Sequence, residues 1–63
     1  MTREETNIDQ LMLDKGIRRD NELADLMELS ASGLHNRLKG NISTKTLEDL
    51  SKIFDVTIKE LIK

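Results

Sequence analysis

Residues 30–41 read SASGLHNRLKGN, and their polar side chains fall at spacings that one short helix can use. At about 100° per residue, Leu34 and Leu38 mark one side of such a helix. Ser32, Asn36 and Lys39 then share the opposite stripe, flanked by Gly33 and His35, with Arg37 on Gly33's side. The chemistry this offers is hydrogen bonding and cation pairing. An asparagine can pair through two hydrogen bonds with an adenine edge in a major groove, and a serine can serve either base. Arg37 and Lys39 can reach phosphates or guanine. Gly33 lacks a side chain, so a partner's backbone could come close. A solvated outer face would carry the same residue types, so the stripe alone does not decide between recognition and solvation.

The charge pattern sharpens the choice. Residues 1–28 hold eight acids and four bases, net −4, whereas residues 29–47 hold no acid and three bases, Arg37, Lys39 and Lys45, net +3. Residues 48–63 return to net −1, and the whole chain carries −2. The total charge argues weakly against a polyanionic partner, and the local distribution argues for one. With so few cations, only a handful of phosphate contacts and weak non-specific binding are expected.

Five short helices are expected to position these residues. Asn7 is placed to cap the first, with Ile8, Leu11 and Met12 inside, Gly16 at its end and Ile17 returning to the core. Asp20 reads as the cap of a second, whose apolar side is Leu23, Ala24, Leu26 and Met27. Met27-Glu28-Leu29 makes a tight corner, Ser30 caps a third helix anchored by Leu34 and Leu38, and Gly40 ends it. After the loop Asn41-Ile42-Ser43, Ser43 or Thr44 caps a fourth helix with Leu47, Leu50, Ile53 and Phe54 inside, broken by Asp55. Thr57-Ile58-Lys59-Glu60 fits a capping box that opens a short fifth helix with Ile58, Leu61 and Ile62. Residues 1–6 are polar and are expected to form a flexible lead, leaving 7–63 as the domain.

Composition agrees with an all-α domain and excludes several classes. Sixty-three residues make one small domain. Such a chain buries only about 60% of its unfolded surface. It has no Cys and one His, so neither a disulfide framework nor a zinc site is available. No cofactor is expected. No apolar run approaches the roughly 20 residues of a membrane span, and MTREETN lacks a signal's apolar region, so a cytoplasmic address is expected. No Gly-rich phosphate loop follows a strand, and the carboxylates lie on short amphipathic helices, so catalysis is not expected.

A short helix, a corner and a second short helix with its polar face outward is the helix-turn-helix pattern, in which the second helix enters the major groove. From residue 20, DNELADLMELSASGLHNRLKGN resembles the lambda-repressor/Cro-type (XRE) helix-turn-helix family. The matching features are Ala24 after Leu23, Leu29 before Ser30, Leu34 within the helix, and Leu38-Lys39-Gly40 closing it. TLEDLSKIFDVTIKELI (46–62) is similar to the family's last two helices, with the pattern T-L-x-x-[LI]-[AS]-K-x-[LF]-x-V, so the resemblance covers about residues 7–62.

The resemblance implies a compact five-helix lambda-repressor-like domain that binds double-stranded DNA as a small bacterial or phage transcriptional regulator, commonly a repressor. It implies base contacts from Ala31, Ser32 and Asn36, with Gly33, His35 and Arg37 at base or flank. Asn21, Lys39, Asn41, Ser43, Thr44 and Lys45 fall where the family meets phosphates. A homodimer through the last helix would use Ile58, Leu61 or Ile62, with all three serving the monomer's own core as the competing reading. A protein antagonist is a further partner the family suggests.

Three positions depart from the family's pattern. Asp20 stands where Gln is frequent and would repel phosphate, with Arg18-Arg19 expected to offset it. Glu28 stands where the corner commonly has Gly, so either a non-glycine residue takes positive φ there or the turn takes another form. Ala31 replaces a polar base reader and leaves only an apolar contact, for instance with a thymine methyl. The rival to DNA binding is a small helical protein-interaction module working through its acidic helices.

Overall fold

Three of the amphipathic segments open on a hydroxyl residue that satisfies a free backbone donor, and three close on a residue in left-handed geometry. The computed structural model, which describes residues 1–63, is accordingly all-helical. Helices α1 (Ile8–Asp14), α2 (Asp20–Leu26), α3 (Ala31–Leu38), α4 (Thr44–Phe54) and α5 (Ile58–Leu61) follow a 3-10 turn at Arg3–Glu5. Ile8, Leu23, Leu34, Leu50, Phe54 and Leu61 have no exposed surface, so every helix contributes to one core. The side chain of Ile17 is buried beside them, as expected.

The caps explain the helix starts. Ser30 Oγ accepts the Gly33 N–H at 3.0 Å, and Ser43 Oγ accepts the Thr46 N–H at 3.2 Å. Thr57 Oγ1 accepts the Glu60 N–H at 3.1 Å. The Thr57 hydroxyl donates to the Glu60 carboxylate at 3.2 Å, so only the Thr57 half of the expected box forms, because Glu60 meets the hydroxyl and not the Thr57 N–H. Gly16 (φ 74°) and Gly40 (φ 64°) end α1 and α3, and Asp55 (φ 55°) ends α4.

Two starts differ from expectation. Asp20 is the first residue of α2 rather than its cap. Glu22 reaches back instead, its Oε2 accepting the N–H of Arg18 at 2.7 Å and of Arg19 at 3.3 Å. Asn7 holds the cap position of α1 without capping it, because its Nδ2 donates to the Glu60 carbonyl at 3.0 Å. Thr6 Oγ1 accepts the Ile8 N–H in its place, at 3.3 Å.

The first six residues also differ: where a flexible polar lead was expected, the structure has a packed segment. Thr6 is buried and pairs antiparallel with Ile62. The Asn7 N–H donates to the Leu61 carbonyl at 2.8 Å and the Lys63 N–H to the Glu5 carbonyl at 3.1 Å. Met1 lies against the core, and its carbonyl accepts the Ile42 N–H at 2.6 Å. Backbone donors and acceptors, which carry no sequence signature, tie this segment down.

Candidate nucleic-acid interface

The platform for α3 is α2. Ala24 is buried to 1% exposure and its lack of bulk lets α3 close in, the two helices packing directly. The corner between them is tight: the Leu29 N–H donates to the Ala24 carbonyl at 2.8 Å, and Glu28 takes φ 58°. Of the two forms left open for this corner it takes the one with positive φ at Glu28, which turns the chain so that Ser30 can cap α3. Leu34 and Leu38 then hold the inner side of α3 in the core.

That seating fixes what α3 shows to solvent. Ala31, Ser32, His35, Asn36 and Arg37 are all exposed, as are Lys39, Asn41, Ser43, Thr44 and Lys45 beyond it and Asn21 on α2. Ser32, His35, Asn36, Arg37, Lys39, Thr44 and Lys45 make no side-chain hydrogen bond or ion pair within the chain. Their donors and acceptors point to water, and no carboxylate lies between residues 29 and 47 to neutralise the three cations. The arrangement can read base edges with Asn36 and Ser32 and pair phosphates with the cations.

Three expected members stand differently. Gly33 is half-buried, and a β-carbon there would lie 3.2 Å from Ser30 Oγ and 3.7 Å from Leu29 Cβ. Its missing side chain therefore serves the corner, where any atom would press on the cap. Ser43 accepts from the Thr46 N–H and donates its hydroxyl proton to Thr46 Oγ1 at 3.0 Å, so its donor is taken by the α4 cap. The Oδ1 of Asn41 accepts from the Met1 α-ammonium.

The charge near Asp20 is offset by a residue that the sequence reading passed over. Arg3 donates to both carboxylate oxygens of Asp20, at 3.1 and 3.0 Å, and to Asp9 at 2.7 Å. Neither Arg18 nor Arg19 pairs with Asp20. The hydrogen bonds from Arg3 hold the Asp20 carboxyl below the usual carboxylate range, and the charge of His35 on α3 acts in the same direction. The guanidinium is correspondingly raised, first by its bond to Asp20. Nothing in the local sequence of Arg3 marks this role, because its partners stand 6 and 17 residues away.

Of the residues expected at a dimer contact, Leu61 is fully buried in its own core and is removed from that role. Ile58 and Ile62 remain half-buried at the outer side of the α5 end. No helix is long and apolar enough to cross a membrane.

Residues 7–63 match the family model of the Cro/C1-type HTH DNA-binding domain. No curated protein and no solved structure matches the chain.

Proposed function

The chain belongs to the Cro/C1-type helix-turn-helix DNA-binding family, and on that premise we propose that it is a sequence-specific transcriptional repressor that lays α3 in the major groove. The observation that carries this is the face built by Ser32, His35, Asn36, Arg37, Lys39, Thr44 and Lys45, exposed, free of internal bonds and free of acids. An acidic chain that keeps one such face keeps it for a polyanion. Asn36 and Ser32 read base edges, and Ala31 offers a methyl-sized apolar contact. His35 and Arg37 lie at the flank. Lys39, Thr44 and Lys45, with Asn21 and the amide of Asn41, meet the backbone.

A single α3 reads only a few base pairs. Two copies on a two-fold axis read half-sites about 34 Å apart. Ile58 and Ile62 are the apolar groups left for that contact once Leu61 is assigned to the core. The regulator acts in the cytoplasm and responds to concentration, to competition at its site or to a protein antagonist.

The test is a fluorescence-anisotropy titration on duplex DNA from upstream of the coding sequence, at two salt concentrations, beside the Asn36→Ala/Lys39→Ala variant. Saturable, sequence-preferring binding that weakens with salt and is lost in the variant supports the reading. Absence of binding at low salt on both specific and random duplex overturns it in favour of a protein-interaction module.

A further inference from the structure

We propose that Arg3 is a positioning residue of the DNA interface: it holds the Asp20 carboxylate at the start of α2 and offsets part of the acidic charge that Asp9 and Asp20 bring near α3. The inference rests on the DNA-binding reading above and adds a part that the α3 helix does not contain.

Arg3 sits beside the C-terminal end of α3. The residues before it run along the end of α3: Met1 accepts the Ile42 N–H, and Thr2, Arg3 and Glu4 line one shallow cleft with Leu38 and Gly40. From there the guanidinium reaches Asp20 through two nitrogens and Asp9 through two, at 3.2 and 2.7 Å. Its side chain is 26% exposed, whereas that of Asp20 is 53% exposed. A half-exposed carboxylate beside the recognition helix repels a duplex seated on that helix, unless a cation is held against it. Arg3 is that cation, and its planar fork fixes the carboxylate's position as a lysine would not. Asp9 anchors the guanidinium from the other side, so Arg3 is not free to swing out to a phosphate itself.

The role differs from a fold staple in one measurable respect. A staple lost from either end weakens the domain, and the loss does not depend on which end is cut. A neutralising contact matters only while Asp20 keeps its charge. The experiment is a double-mutant cycle by anisotropy on the duplex bound by the wild type, with Arg3→Gln, Asp20→Asn, the double variant and Asn36→Ala, each checked for folding by circular dichroism. Arg3→Gln should weaken binding about five- to tenfold at low salt, because an exposed unpaired carboxylate then faces the duplex. The deficit should shrink at high salt, where exposed charges are screened. Asp20→Asn alone should bind at least as tightly as wild type, and adding it to Arg3→Gln should restore most of the affinity.

Equal losses in both single variants and in the double variant would make Arg3 a staple and overturn the proposal. Tight binding by Asp20→Asn with no rescue in the double variant would make Arg3 a direct phosphate ligand and overturn it too. If the wild type binds and Asn36→Ala does not, the DNA-binding reading stands whatever the cycle gives. If the wild type binds no duplex, it is the DNA-binding reading that has failed.

Discussion

The α3 face and the N-terminal segment use polar side chains in opposite ways. Along residues 1–22 several of them bond within the chain: Arg3 to Asp9 and Asp20, Glu5 to Thr2, Gln10 to Asp14, Glu22 to two backbone N–H groups, while Glu4, Lys15, Arg18, Arg19 and Asn21 stay unbonded. The Glu5 carboxyl is held below its ordinary range by the Thr2 N–H and hydroxyl. Along α3 and the start of α4 only the cap residues and Asn41 are engaged, while Ser32, Asn36, Arg37, Lys39 and Lys45 have no partner in the chain. An acidic region that satisfies itself contributes to the fold. A basic region left unbonded keeps its groups free for a partner from outside, which is the part the proposed function gives it. Net charge alone does not make this distinction.

The contrast requires that α3 be held rigidly from beneath. Leu34→Ala attacks the support, removing a side chain with no exposed surface. It should cost about 2–5 kcal/mol, a large part of the stability of a domain this small, and chemical denaturation would read it. DNA binding should fall with the folded fraction. A Leu34→Ala protein as stable as wild type would mean that α3 is not seated by the core.

Asn36→Ala separates the two faces of the same helix. Asn36 is exposed and unbonded, so stability should stay within about 0.5 kcal/mol of wild type. Binding to the preferred duplex should weaken by about 1–3 kcal/mol, with little change on random DNA, because a base contact is lost and phosphate contacts remain. Lys39→Ala should weaken both duplexes alike and make binding less steeply dependent on salt. If the two variants behave the same way, the split between base-reading and phosphate-pairing residues is wrong.

The N-terminal network makes its own prediction in pH. The carboxyl of Asp20 is depressed below its ordinary 3.8 by Arg3. Its contribution to stability is therefore complete above that value and is lost as pH falls through the lowered one. The pair is half exposed and screened, so the contribution is at most about 1 kcal/mol. Asp20→Asn should lower stability at neutral pH by up to that amount and leave it unchanged in strong acid, flattening part of the acid limb of a stability-versus-pH curve. An acid limb identical to that of wild type would show that the pair contributes nothing to folding.

These contrasts also mark what the sequence makes legible. Helical spacing announces Leu23, Leu34, Leu50 and Phe54 as core, and the local chemistry of Ser30, Thr57, Gly16 and Gly40 announces helix ends, because each signal lies within a few residues of its effect. The exposed polar face of α3 follows from the same wheel that buries Leu34 and Leu38. The misses are long-range. Arg3 meets Asp20 across 17 residues, Asn7 turns to Glu60 across 53, and Thr6 pairs with Ile62 through backbone alone. Ile42 reads as a loop residue and is buried at 5% exposure, because the preceding loop folds it under Met1. Leu26, expected on the apolar side of α2, stays 53% exposed, because helical phase turns it well away from the stripe of Leu23, Ala24 and Met27. None of these is encoded in spacing.

The corner between α2 and α3 is where the two regions meet, and it carries a strained residue. Glu28 holds φ 58° with an exposed side chain that makes no bond. Left-handed geometry costs a non-glycine residue about 1–2 kcal/mol, while glycine loses more backbone freedom on folding, about 0.5–1 kcal/mol. Glu28→Gly should therefore stabilise the domain by about 0.5–1 kcal/mol, visible as a rise of a few degrees in Tm. It also removes an acid next to the basic face, so binding should tighten slightly and most clearly at low salt. Glu28→Ala separates the two effects: it removes the charge and keeps the backbone strain, so it should reproduce the tighter binding without the gain in stability. If Glu28→Ala stabilises as much as Glu28→Gly, the side chain rather than the backbone is the source of the strain, and the corner is held less tightly than its φ implies.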